Sequence, residues 1–265
     1  MPVAADKYQK IEIIERRDYG PELWSIRARA EEKLNFKPGQ YATLAVERNN
    51  RMIQRAYSIV SSPLEDELEF FFELVPQVEL TPLLFKALVG DSIWMRRQAR
   101  GRFTLDANSG HNRHFLLATV TGVAPYVSIV RTAIDAFNHG MSPENQMVVI
   151  QAASRSWEFA YCDELRSLAS SCGWLRYIPS VSRPWEDPDW KGETGRVEDI
   201  ARKYLDAFEF TPSNSTAYLC GHPQMIENCK GILKRSGFSR DFVREEIYWI
   251  PAKAARLETQ PTLSV

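Results

Sequence analysis

Cysteine is scarce in this chain, and no arrangement of it carries chemistry alone. Cys162, Cys172, Cys220 and Cys229 are scattered without a close pair. That excludes the ligand spacing of a zinc or iron–sulfur centre and the density of a disulfide scaffold, and it fits reduced thiols in a cytoplasm. Long apolar runs are missing as well. No segment approaches 18 apolar residues, and the opening MPVAADKYQK lacks the apolar core of a signal peptide, so a cytoplasmic, unexported protein with no membrane span is expected. Nor is there a surplus of one charge. With 33 basic against 34 acidic residues the formal net charge is −1, which supplies no global field for binding nucleic acid.

What is present is an ordinary globular composition, 44% hydrophobic and 25% charged over 265 residues, enough for one large domain or two medium ones. Residues 8–15, 22–28, 40–46, 52–60, 67–75 and 92–95 read as short β-rich runs. They are punctuated by turn signals such as Lys37-Pro38-Gly39-Gln40 and Val89-Gly90-Asp91. Many short strands with one helix predict an antiparallel β-barrel. That helix is expected over 81–88, with Thr81 as N-cap and Pro82 at the first helical position, an end that could also hold phosphate.

After the polar stretch 101–111 the pattern changes to strands alternating with helices. Strands are expected at 114–120, 146–153, 174–182, 216–220 and 246–250. Helices are expected at 124–137, 157–171, within 197–208 and at 223–236. Continuous apolar strands between amphipathic helices predict an α/β parallel-sheet domain covered on both faces, with its ligand beyond the carboxyl ends of the strands. The expected division is 1–105, 106–250 and a C-terminal extension, 251–265.

Three stretches carry the functional signal. Gln54–Pro63, QRAYSIVSSP, joins a cation, an aromatic face and hydroxyls. Strand alternation places Arg55 and Tyr57 on one face and Ser58 on the other. The turn Thr119-Val120-Thr121-Gly122-Val123-Ala124-Pro125 offers backbone N–H groups and threonine hydroxyls at a helix start, a setting for pyrophosphate. Cys220-Gly221-His222-Pro223-Gln224-Met225 repeats the arrangement of strand end, glycine and helix-opening proline, and puts Cys220 at the sheet's carboxyl edge.

Taken in order, Arg55-Ala56-Tyr57-Ser58, Thr121-Gly122-Val123-Ala124-Pro125 and Cys220 to Met225 resemble the flavin and nicotinamide motifs of the ferredoxin–NADP reductase family, most closely the bacterial ferredoxin or flavodoxin reductases. The resemblance runs from about Tyr8 to Trp249. It implies an FAD-binding barrel followed by an NADP-binding α/β domain, with hydride passing between stacked rings at their interface. Arg55 then contacts the FAD pyrophosphate beside Ala56, Tyr57 stacks on the isoalloxazine, and Ser58 hydrogen-bonds near its reactive nitrogen. Thr81 resembles the hydroxyl residue that helps hold the FAD phosphate. Ser58, Cys220 and Tyr248 are the expected catalytic group. Thr121, Gly122 and Gly221 line the NADP site, and Ser154, Arg155, Ser182, Arg183 and Arg196 are candidates for the 2′-phosphate, which favours NADP(H) over NAD.

Glu246-Ile247-Tyr248-Trp249 resembles the family's aromatic ending, in which Tyr248 or Trp249 covers the flavin, Tyr248 being preferred. Two departures stand out. Val120 occupies the place of the first glycine in the usual Thr-Gly-Thr-Gly, and 76–80 lacks the glycine that often precedes the phosphate-holding hydroxyl. The resemblance implies a monomer that passes electrons to ferredoxin or flavodoxin. The run Arg96, Arg97, Arg100 and Arg102 is placed to attract such an acidic carrier. The alternatives are the reductase component of an oxygenase system, or a flavin-binding relay subunit that does not turn over NADPH.

Overall fold

The computed structural model describes residues 7–106, 108–141 and 145–248. Two six-stranded sheets organise them. The first is antiparallel and built from β1 (Tyr8–Asp18), β2 (Leu23–Ala30), β3 (Tyr41–Arg48), β4 (Arg51–Ser58), β5 (Leu68–Glu73) and β6 (Ser92–Arg96), in the order β4-β3-β6-β1-β2-β5. Its edges meet where Ile59 bridges Phe70 and the Val60 amide donates to the Glu69 carbonyl, so the sheet closes on itself as a barrel. Period-two alternation sends Ile11, Ile13, Trp24, Ile26, Leu44, Phe70 and Phe72 inward, where they fill the barrel as one apolar cluster. The short helix α1 (Leu80–Phe85) adds Leu80 and Leu84 to it.

That helix begins one residue earlier than predicted and ends sooner. Its N-cap is Glu79, with no side-chain cap. Thr81 lies inside the first turn, and its hydroxyl accepts from the Val75 amide and donates to the Val75 carbonyl. A loop-closing hydrogen bond thus takes the role that a cap would have had.

The second sheet is parallel throughout. Its strands are β7 (Arg113–Thr119), β8 (Gln146–Ala153), β9 (Leu175–Val181), β10 (Glu193–Thr194), β11 (Ser215–Gly221) and β12 (Val243–Ile247), in the order β10-β9-β8-β7-β11-β12. Helices α2 (Ala124–Asn138) and α3 (Cys162–Ser171) cover one face; α4 (Val197–Ala207) and α5 (Pro223–Arg235) cover the other. Along β7 the alternation is explicit, with Leu116 and Ala118 packing under α2 while Phe115 and Leu117 face α4 and α5. Pro125 and Pro223 open their helices as expected, because the first turn has no use for their missing N–H.

The larger differences from the expected elements lie in the parallel-sheet half. The helix expected over 157–171 starts at Cys162, because Tyr161 turns left-handed (φ 62°) after a short 3-10 turn at Ser156–Glu158. The last strand is Val243–Ile247, earlier than 246–250. The two-residue strand β10 was not anticipated, being too short to show a period.

The barrel and the parallel sheet share a core. Leu23, Val60, Phe71 and Phe103 from the barrel side join the cluster beneath α2 and α3. A partly buried ionic group ties the same seam: Arg131 on α2 pairs with buried Glu69 at 2.7 Å and with Glu164 at 2.7 Å, and the Tyr161 hydroxyl donates to Glu69.

Candidate active site

The strand order of the parallel sheet reverses between β7 and β11, where adjacent loops diverge and leave a crevice. The two glycine turns meet there, packed back to back. A Cβ on Gly122 would stand 2.2 Å from the Cys220 carbonyl oxygen, and one on Gly221, at φ 128°, would stand 2.3 Å from Thr119 Oγ1. Only hydrogen fits at either place. The His222 amide donates to Thr119 Oγ1 at 2.9 Å, fastening one turn to the other. Val120, where the related motif has glycine, is held at φ 41°, a left-handed conformation unfavourable for a β-branched residue. Thr121 is half-buried beside it, and its hydroxyl has no hydrogen-bond partner among the described residues.

Side chains from both sheets converge over this crevice. Ser58, at the end of β4, donates to Glu246 Oε2 at 3.0 Å and accepts from the Tyr248 hydroxyl at 2.7 Å. Cys220 lies opposite Glu246 in the β11–β12 register, fully buried, in the apolar cluster against which Tyr248 packs. Burial pushes the carboxyl of Glu246 up to about 7, against a smaller opposing effect of the Ser58 hydrogen bond. Burial likewise pushes Cys220 and Tyr248 well above their ordinary values, so both stay protonated. The expected trio Ser58, Cys220 and Tyr248 is therefore one connected group, with Glu246 as a fourth member.

Glu246 was missed as a functional residue, although its position two before Tyr248 near the end of a strand puts both on one face. Trp249, the other candidate for the aromatic cover, and the extension 251–265 lie outside the described residues.

Along β4, Arg55 is half-buried and makes no ion pair with a described residue, while Ala56 is exposed. Tyr57 packs edge-on against Phe72 with ring centroids 4.8 Å apart, and its hydroxyl is buried without a partner. Desolvation pushes its pKa well above the ordinary phenol value, so the hydroxyl keeps its proton. A cation and an orphaned phenol two residues apart are what an extended ligand with a ring and a phosphate would complete. Thr81 stands apart from that pair in its contacts, its hydroxyl donating to the Val75 carbonyl and accepting from the Val75 amide.

The residues assigned to the 2′-phosphate do gather at one edge, the carboxyl ends of β8, β9 and β10. The Arg183 amide donates to the Ser154 carbonyl and the Ser182 amide to Ala153. The hydroxyls of Ser154 and Ser182 make no hydrogen bond to a described residue, and Arg196 is exposed just after β10. Two of the three arginines are engaged, however. Arg155 pairs with Glu158 at 3.0 Å and closely with Glu186, and Arg183 reaches Glu186 at 3.6 Å. In the other basic run, Arg96 bonds Gln54 and Arg97 pairs with Glu32, whereas Arg100 and Arg102 are exposed without an ion pair among the described residues. Among those residues no helix is long and apolar enough to cross a membrane.

A closed antiparallel barrel sealed to a doubly wound parallel sheet, with hydroxyl, thiol and carboxyl groups converging at the switch point, defines a two-domain oxidoreductase. Residues 116–231 match the family model described as "Oxidoreductase NAD-binding domain". The flavodoxin/ferredoxin–NADP reductase of Rhodobacter capsulatus is 35% identical over 255 residues, covering 88% of this chain and 90% of the relative. The phenol 2-monooxygenase reductase component of Pseudomonas sp. (strain CF600) is 27% identical over 234 residues, covering 87% of this chain and 63% of that protein. Among solved structures, a ferredoxin NADP+ reductase from Neisseria gonorrhoeae with bound FAD and NADP superposes with a TM-score of 0.81 at 23% identity, covering 92% of this chain and 99% of that one. The chain belongs to the flavodoxin/ferredoxin–NADP reductase family.

Proposed function

We propose that this chain is an FAD-containing, NADP-dependent oxidoreductase that exchanges electrons between NADPH and a one-electron carrier, ferredoxin or flavodoxin. The observation that carries the reading is the junction of Ser58 from the barrel with Cys220, Glu246 and Tyr248 from the parallel sheet. Residues 1–105 hold the flavin in this reading, and 106–250 hold the nucleotide. The buried, unpartnered Tyr57 hydroxyl and the unpaired Arg55 fit FAD. When bound, FAD supplies the capacity to take electrons in pairs and release them singly.

The chain's own residues bind, orient and handle protons. Arg55 would hold the pyrophosphate through its bidentate fork, and Tyr57 would present a flat face to the ring. Ser58 Oγ, held between Glu246 and Tyr248, would be the group that shares a proton with a bound flavin. Glu246, half-protonated near neutral pH, can replenish or drain that proton through Ser58 Oγ. Tyr248 covers the group and would have to move aside for a nicotinamide to stack. Gly122 and Gly221 let the two turns pack against each other, and the first turn of α2 would offer its amides to a pyrophosphate there. Exposed Arg100 and Arg102 would steer an acidic carrier.

Stopped-flow reduction of the purified flavoprotein by NADPH and by NADH, followed by mixing with oxidised ferredoxin or flavodoxin, tests donor and acceptor together. Rapid reduction by NADPH and reoxidation by either carrier is expected. Reduction that no one-electron carrier reverses would reject the acceptor assignment.

A further inference from the structure

The loops after β8 and β9 share the pattern Ser-Arg-X-Trp-Glu, as Ser154-Arg155-Ser156-Trp157-Glu158 and Ser182-Arg183-Pro184-Trp185-Glu186. Both fold alike, with the arginine leading a three-residue 3-10 turn that carries the tryptophan and the glutamate. The copies are braced side by side. Besides the backbone bonds from Ser182 to Ala153 and from Arg183 to Ser154, the Ser156 amide donates to buried Asp187 at 2.7 Å. Trp157 lies under the Arg155 guanidinium at 5.7 Å.

The two glutamates are held differently. Glu158 accepts from the Ser154 amide at 2.9 Å as well as from Arg155, so the backbone anchors it. Glu186 bridges Arg155 and Arg183, and no other described residue hydrogen-bonds or pairs with its carboxylate. Its side chain and both guanidinium groups remain partly open to solvent. Two arginines facing two glutamates sum to no net charge. A phosphate dianion arriving there gains little until a carboxylate leaves.

We propose that Glu186 is an internal stand-in for the nucleotide 2′-phosphate: it occupies the Arg155–Arg183 pair in the free protein and is displaced when a 2′-phosphorylated adenosine binds. This inference rests on the NADP reading above. Glu186 thereby sets the preference between NADPH and NADH, by making the phosphate compete for its cations while leaving the unphosphorylated ribose unaffected. The anchored Glu158 stays, keeping Arg155 in place for the exchange.

The test is isothermal titration calorimetry of the full-length flavoprotein with adenosine 2′,5′-bisphosphate and with adenosine 5′-monophosphate, which differ only in the 2′-phosphate. Tryptophan fluorescence from Trp157 and Trp185 gives a second binding signal. Glu186→Gln should bind the bisphosphate about fivefold more tightly, the equivalent of about 1 kcal/mol for a partly exposed ion pair. Its affinity for the monophosphate should be unchanged. Asp206→Asn, which breaks the exposed Arg202–Asp206 pair on α4, should alter neither affinity and controls for net charge. If the wild type prefers the bisphosphate but Glu186→Gln binds it no better, or less well, the displacement idea is overturned and the NADP reading stands. Equal wild-type affinity for both probes would overturn the two together.

Discussion

The Tyr248 hydroxyl donates to Ser58 Oγ at 2.7 Å, joining the end of the parallel sheet to the end of a barrel strand. The ring and the hydroxyl of Tyr248 therefore have separable effects. Tyr248→Phe keeps the cover and loses one hydrogen bond, so it should cost about 0.5–1.5 kcal/mol of stability with little change in nucleotide affinity. Tyr248→Ala removes the cover itself and should tighten NADP+ binding, because nothing must then be displaced. Difference-spectral titration of both variants checks this. Weaker binding by Tyr248→Ala would mean that the ring supports the nucleotide instead of competing with it.

Glu246 makes stability depend on pH in a definite direction. Its carboxyl is raised from 4.5 to about 7 in the folded protein, mainly by burial, so the native state holds that proton more tightly than the unfolded chain. The resulting stabilisation is complete below the unfolded value and is lost as pH rises through the folded one. Glu246→Gln, neutral throughout, should gain melting temperature relative to wild type as pH rises from about 5 to about 8. Parallel thermal melts test it, and a difference that stays constant across the range would remove Glu246 from the response.

The sequence reading reached the two-sheet architecture because local signals were strong. Apolar alternation marked β1 to β6, and prolines marked the starts of α2 and α5. It named Ser58, Cys220 and Tyr248 from their motifs and the aromatic ending, and the fold brings the three to one place. It missed what only folding brings together: Glu246 beside Ser58, and Glu186 beside Arg155, are contacts between segments distant in the chain. As a helix cap, Thr81 failed for a local reason. Its hydroxyl could cap the helix or close the preceding loop, and the loop won.

The glycines divide by what surrounds them. Gly122→Ala would force a methyl to within 2.2 Å of the Cys220 carbonyl, an immobile backbone atom, so two structural turns must separate. A loss of about 1–3 kcal/mol is expected, as for overpacking in a tight core, together with weaker nucleotide binding. Gly231→Ala lies inside α5, where the nearest atom is the end of the Arg235 side chain at 3.4 Å, and should stabilise by about 0.5–1 kcal/mol through helix propensity. Denaturant unfolding of both variants provides the check; equal effects would contradict the back-to-back packing of the turns.

Arg131 should be the most costly polar side chain to remove from the seam between barrel and parallel sheet. It sits on α2, the helix that starts at the nucleotide turn, and the same helix holds the barrel through Ser128 Oγ, which donates to the Ser61 carbonyl at 2.7 Å. Arg131 balances Glu69, whose side chain is only 7% exposed, and also reaches Glu164. Arg131→Met keeps apolar bulk but leaves Glu69 a buried anion with only the Tyr161 hydroxyl for company. Breaking a buried pair on one side typically costs about 3–5 kcal/mol, chiefly as the penalty of the stranded charge. Neutralising that charge should recover much of the loss, so the double variant Arg131→Met with Glu69→Gln should be more stable than Arg131→Met alone. Equilibrium denaturation of the two single variants and the double completes a cycle. Strict additivity would show that Glu69 and Arg131 are not energetically coupled, and the seam would then rest on its shared apolar cluster of Leu23, Val60, Phe71 and Phe103.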